Sequence, residues 1–183
     1  MTLEGEVEFD EVYIVAEHKG NPEAVSKKGR KGRRNRLKGA RGRSTLEKEK
    51  PPIFGMIQRT GQVVIQMLAN IRQVTIKPLI KSTVLPGTLV YTDEYSIYFR
   101  LEEWGYSHKS VNHGAGEYAR DEDGDGFHEV HVNTMEGFWS LLRPHRGISQ
   151  EKLPFYPGFF EFAHNVGKRG KTLLHSLVEV LVK

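Results

Sequence analysis

The sequence has 183 residues, a formal net charge of +4, 38 % hydrophobic and 27 % charged residues, and no cysteine. That length favours one domain with a proper core over two full-sized ones, and the lack of cysteine excludes a disulfide framework and cysteine-ligated zinc within these residues. No apolar stretch reaches the roughly 20 residues of a membrane span, and the acidic start lacks the order of a signal peptide, so an intracellular, cytoplasmic protein without a membrane partner is expected.

The first strand is expected near residues 6–15, where Gly5-Glu6-Val7-Glu8-Phe9-Asp10-Glu11-Val12-Tyr13-Ile14 delivers Asp10. A loop over residues 24–50 then interrupts the pattern. Within it Lys27, Lys28, Arg30, Lys31, Arg33, Arg34, Arg36, Lys38, Arg41 and Arg43 place ten positive charges among four glycines with no acid. The other 17 basic residues face 23 acidic ones, so the rest of the chain carries about −6 and the positive balance belongs to this segment. A run so basic and so poor in apolar residues follows a phosphate backbone and releases its counterions. Without aromatics it does not stack on bases, so the contact is independent of base sequence. The plainer reading is a solvated surface loop or a localisation-like signal.

Pro51-Pro52 closes the loop, and Ile53–Arg59 and Gln62–Ala69 read as two strands joined at Thr60-Gly61. A helix is expected over residues 75–84, capped by Thr75 and with Pro78 in its first turn. Leu89–Thr92 reads as a buried strand bringing Asp93 to its end. A second helix over 96–104 is stopped by Gly105, His108–Asn112 forms an edge strand, and residues 114–129 form a loop. Within that loop Asp121 to Gly126 imitates the start of a calcium loop but lacks the twelfth-position glutamate, since Val132 stands there, so a solvated turn is expected. The histidines at 108, 113, 128 and 131 do not match a zinc spacing and read as surface or hydrogen-bonded side chains.

The next helix opens at Asn133. Met135, Phe138, Trp139 and Leu142 recur at the spacing of a buried face. Glu136, Ser140 and Arg143 share another face, and Pro144 ends the helix near Arg143. Asn133 and Glu136 have a structural reading too, because a polar residue followed three places later by glutamate forms a capping box. In the C-terminal helical segment, residues 159–183, Leu173, Leu174, Leu177, Val178 and Leu181 mark one face, which either completes the core or meets a second copy.

Two strand-end aspartates and a helical acid or amide suit divalent ions held against a phosphate, the arrangement that splits phosphodiesters by in-line displacement. An oxygen-only site favours magnesium or manganese.

The residues also carry a resemblance. The Asp10-Glu11 pair, the Tyr91-Thr92-Asp93-Glu94-Tyr95 segment, the run from His131 through Asn133-Thr134-Met135-Glu136-Gly137-Phe138-Trp139-Ser140 to Arg143, the Asn112-His113-Gly114 turn and the Phe160-Glu161-Phe162-x-His164-Asn165 stretch together resemble the catalytic domain of ISXO-like insertion-sequence transposases over nearly the whole chain. The resemblance implies an α/β, RNase H-like mixed sheet flanked by helices and a DDE-type site that uses magnesium to cleave DNA and transfer strands. Asp10 and Asp93 would be the first two metal ligands. Glu136 is the first choice for the third and Asn133 the second, while Arg143 would touch DNA phosphate, with a homo-oligomer on the DNA ends as a further implied partner. The zinc-binding and helix-turn-helix region usual in such transposases is not among these residues, and the helix after Trp139 is about a turn short. Two further readings therefore stand beside the catalytic one: an inactive remnant that still binds DNA, and a basic nucleic-acid-binding protein without catalysis.

Overall fold

Alternation of Val7, Phe9 and Glu11 with Glu8, Asp10 and Val12 makes a strand with two distinct faces. The computed structural model, which describes residues 1–16, 18, 21–27, 29, 43, 50–143 and 148–170, forms it as β1 (Glu6–Tyr13) at the centre of a five-stranded sheet. β2 (Pro52–Gln58) and β3 (Val63–Met67) are the expected hairpin, β2 lying antiparallel to β1. β4 (Leu89–Asp93) lies parallel on the other side of β1, and β5 (Ser107–Val111) is parallel to β4 at the edge. The order β3-β2-β1-β4-β5 is that of an RNase H-like mixed sheet.

One face of the sheet carries Leu3, Val7, Phe9, Phe54, Met56 and Val90 under α2 (Gln73–Thr83), which follows the six-residue α1 (Pro22–Lys27). The other face carries Val12, Ile53, Ile57, Val63 and Ile65 under α3 (Asn133–Leu142), which supplies Met135, Phe138, Trp139 and Leu142. α4 (Phe155–Arg169) lies along β3.

Three local expectations are corrected. α2 begins at Gln73, two residues early, with no side-chain cap; Thr75 instead donates to Asn70 Oδ1 at 3.0 Å, and Pro78 falls in the second turn. Residues 96–104 form two 3₁₀ turns, Ser96–Tyr98 and Glu102–Trp104, rather than one α-helix. Tyr98, Leu101 and Trp104 are all buried, and a period of three stacks them on one side as an α-helix would not. The loop over 114–129 contains a short ribbon, β6 (Ala119–Arg120) against β7 (Val130–His131), whose turn is the acidic segment. Gly105 does take the left-handed conformation, at φ 97°.

α4 explains the stretch from Phe160 to Asn165. Asn165 accepts from Val63 N–H and donates to Val63 C=O, both at 2.8 Å, while Glu161 accepts from Ile65 N–H at 2.9 Å. Four helical residues rise about 6 Å and two strand residues about 7 Å, so side chains at i and i+4 can serve alternate backbone groups of an edge strand. This covers an edge that would otherwise invite pairing.

Candidate active site

Asp10 and Asp93 come together through the sheet. The β1–β4 ladder pairs Glu6 with Leu89 and Glu8 with Tyr91 and ends there; Asp10 and Asp93 each follow two residues later, close enough for the charge of Asp93 to help raise the Asp10 carboxyl. Asp10 lies on the face covered by α3, where Trp139 meets it, while Asp93 turns Oδ2 towards the Arg43 guanidinium. Both Asp-Glu pairs then split. Glu11, on the opposite face of β1, accepts from buried Tyr98 Oη at 2.8 Å, and Glu94 accepts from the N–H groups of His113 and Gly114 at 3.0 and 3.1 Å, closing the turn after β5.

The electrostatics are those of acids crowded without enough water. Burial pushes the Asp10 carboxyl up to about 8, helped by the charges of Glu11 and Asp93 and opposed by a backbone hydrogen bond and by Trp139. Glu11 is raised by burial against the Tyr98 hydrogen bond, and Asp93 by burial against the hydrogen bond from Tyr95 N–H. Arg43 answers part of this charge. Its guanidinium lies 3.2 Å from Glu11 Oε1 and 3.5 Å from Asp93 Oδ2, stacked 3.5 Å over the Tyr95 ring.

α3 is laid across the acids at two points. Trp139 Nε1 donates to Asp10 Oδ2 at 2.9 Å, and the indole reaches there by passing over Gly55, which pairs with Asp10 across β1–β2. A Cβ on Gly55 would lie 2.6 Å from Trp139 Cζ2, so only glycine permits this approach. At the helix start, Glu8 Oε1 accepts from Thr134 Oγ1 and Glu8 Oε2 from Met135 N–H, each at 2.9 Å. The capping box expected of Asn133 and Glu136 does not form: the N-cap position is Val132, without a side-chain hydrogen bond, and Asn133 N–H donates to His131 Nδ1 at 3.2 Å. A carboxylate from a neighbouring strand takes the capping role, favoured by the positive end of the helix dipole.

Of the other expected site residues, Asn133, Glu136 and Arg143 are exposed on α3. Glu136 precedes Trp139 by three positions and Arg143 follows it by four, so both neighbour the indole on the helix surface. Asp10, Asp93 and Glu136 do not meet as tightly as a second set of acids. Among the described residues, Asp121, Asp123 and Glu129 are the three whose ligand oxygens all lie within 4.8 Å of one another. Those carboxylates accept from the backbone of their own loop, Asp121 from Gly124 and Gly126, Asp123 from Asp125 and Glu129 from Glu122, the turn expected from sequence. The histidines are hydrogen-bonded or packed: His108 Nε2 meets Thr92 Oγ1 at 2.8 Å, and the His113 ring lies against Tyr118.

Of the basic segment, Lys27 ends α1 and is exposed, and Arg43 is at the acids. Lys28, Arg30, Lys31, Arg33, Arg34, Arg36, Lys38 and Arg41 lie outside the described residues, as do Pro144 and the face from Leu173 to Leu181.

Two contributors escape a reading from sequence. Glu8 stands two residues before Asp10 in an apolar strand and so faces the same side; that parity was the available signal. Trp139 reads only as core, because helical periodicity says where an indole is buried and nothing of where its N–H points.

Adjacent parallel strands bearing paired aspartates, with a helix fixed across them, define an α/β domain with an acidic centre in an RNase H-like sheet. The chain belongs to the ISXO2-like transposase domain family, whose model matches residues 2–165. It is 34 % identical over 184 aligned residues to an uncharacterised protein in transposable element ISH50 of Halobacterium salinarum, an alignment covering 97 % of this chain and 58 % of that protein. It is 26 % identical over 99 residues to an uncharacterised transposase-like protein of Haemophilus influenzae, covering 52 % of this chain and 74 % of that one. No solved structure matches it. No helix among the described residues is long and apolar enough to cross a membrane.

Proposed function

We propose that this chain is a DDE-type transposase catalytic domain, which cleaves the phosphodiester at the end of an insertion sequence and directs the freed 3′-hydroxyl at target DNA. The observation that supports the reading is a pair of hard oxygen donors on adjacent parallel strands just beyond the last β1–β4 pair, Asp10 and Asp93, near enough for the charge of Asp93 to help hold the Asp10 carboxyl up. Such donors fit magnesium or manganese better than a softer metal. Bound there, divalent ions would supply activation of the attacking oxygen and stabilisation of the leaving one.

Asp10 and Asp93 would hold the ions, with the Asp10 carboxylate oriented by the Trp139 N–H that donates to its Oδ2. Glu136 would complete the set from α3, with Asn133 as the other candidate on the same turn. Arg143, Arg43 and the basic residues from Lys27 onward would meet the DNA backbone through charge alone, whatever its base sequence.

The test is Asp93→Asn, assayed on a duplex bearing the element end with magnesium or manganese. Loss of cleavage with DNA affinity within about twofold of wild type supports the proposal. Cleavage at the wild-type rate overturns it.

A further inference from the structure

Glu8 is wholly buried, and a carboxylate is expensive to bury unless fully partnered. Its partners all belong to the joint between the sheet and α3. Arg59 Nε donates to Glu8 Oε1 at 2.9 Å, Arg59 Nη1 to Glu6 at 3.1 Å and Arg59 Nη2 to the His131 carbonyl at 3.0 Å, with the guanidinium 3.8 Å over the Tyr91 ring. His131, held below the ordinary histidine value by burial and then by Arg59, accepts from Asn133 N–H. Thr134 Oγ1 and Met135 N–H complete the shell of Glu8.

The spacing gives this shell a purpose. Glu8 and Asp10 are two residues apart on one face of β1, about 7 Å. Met135 and Trp139 are four apart on α3, about 6 Å. The helix is thus pinned to the strand twice in register, at Met135 by Glu8 and at Trp139 by Asp10, and Glu136 lies between the pins. One pin would leave α3 free to slide or rotate about it; two fix both its axial position and its roll.

We propose that Glu8, braced by Arg59, is a positioning residue for the acidic centre: it sets the height and rotation of α3, and with them the place of the third ligand relative to Asp10 and Asp93. The inference rests on the cleavage reading above. Partners that orient ligands in this way typically cost about 10- to 100-fold in metal affinity when removed.

The experiment is a manganese binding isotherm on the full chain without DNA, at a temperature where circular dichroism shows each variant folded. Glu8→Gln keeps the shape and removes the charge; Thr134→Val removes one hydrogen bond and decides the matter if Glu8→Gln does not fold. Asn165→Ala, on the far edge of the sheet, controls for general destabilisation. The expected result is manganese binding about tenfold weaker in Glu8→Gln, weaker to a smaller degree in Thr134→Val, and unchanged in Asn165→Ala. Wild-type isotherms for Glu8→Gln and Thr134→Val, or an equal loss in Asn165→Ala, overturn the proposal. If Asp93→Asn also binds manganese as wild type does, the metal site itself is misassigned, and the cleavage reading falls with this one.

Discussion

Trp139 reaches over Gly55 to hydrogen-bond Asp10, so its side chain belongs both to the core beneath α3 and to the acidic centre. Its N–H stabilises the charged carboxylate, so losing it should raise the Asp10 pKa further. Trp139→Phe should cost about 1–3 kcal/mol of stability from the lost hydrogen bond. It should also weaken manganese binding near neutral pH and recover part of that loss as pH rises, because the ligand must first deprotonate. Isotherms at two pH values check this; an equal loss at both would mean that the indole acts through packing alone.

On the proposed reading, protons and ions would compete for Asp10. Its carboxyl is raised from 3.8 to about 8 in the folded protein, so between those values the folded state binds more protons than the unfolded one. Stability therefore falls as pH climbs through that window. In chelator, Asp10→Asn should melt above wild type at pH 8, with the gap narrowing towards pH 4. Thermal melts at both pH values decide it, and superimposable curves throughout would show that Asp10 ionises as an ordinary aspartate.

Arg43 occupies the position of a competing cation. Its charge lies against Glu11 and Asp93, so a divalent ion approaching Asp93 works against like charge. Arg43→Gln should tighten manganese binding several-fold at low salt while reducing the salt dependence of DNA affinity by about one phosphate contact. Weaker manganese binding in this variant would instead mark Arg43 as a brace that holds the acids in place.

Gly55 is fixed by clearance. Gly55→Ala would drive a methyl into the Met135 side chain and the Trp139 ring, and overpacking of this kind costs about 1–3 kcal/mol. Because the displaced ring carries the Asp10 hydrogen bond, cleavage should fall more than stability alone explains. Denaturant unfolding and rate assays on the same preparation measure both.

Asn165→Ala should leave Val63 N–H and C=O unpaired beside the core, at about 1–3 kcal/mol for each buried group, and should leave manganese binding untouched. A melting temperature equal to wild type would show that α4 is held without it.

Much of this was legible because periodicity is local. Val7 and Phe9 against Asp10, the Thr60-Gly61 turn, and the face formed by Met135, Phe138, Trp139 and Leu142 each follow from spacing within a few residues. What escaped depends on partners far away in sequence. The cap of α3 comes from Glu8, 127 residues before Met135; with that acceptor present, Asn133 and Glu136 have no capping to do and stand exposed. Gly55 reads as one more residue of an apolar strand until Trp139 is laid over it. The 3₁₀ turns at 96–104 follow from where Tyr98 and Trp104 must pack, which no window of nine residues records.

The covered edge of β3 has a consequence for assembly. Asn165 and Glu161 occupy the backbone groups on that side, and on the opposite margin Arg120 Nη1 donates to the Ser110 carbonyl at 3.1 Å. Continuous β-sheets built from successive copies are thereby disfavoured at the β3 margin, and one carbonyl of β5 is already taken at the other. On the proposed reading, two copies brought to a pair of DNA ends would not join through the β3 edge, so their association would answer to salt and to DNA length rather than to strand pairing there.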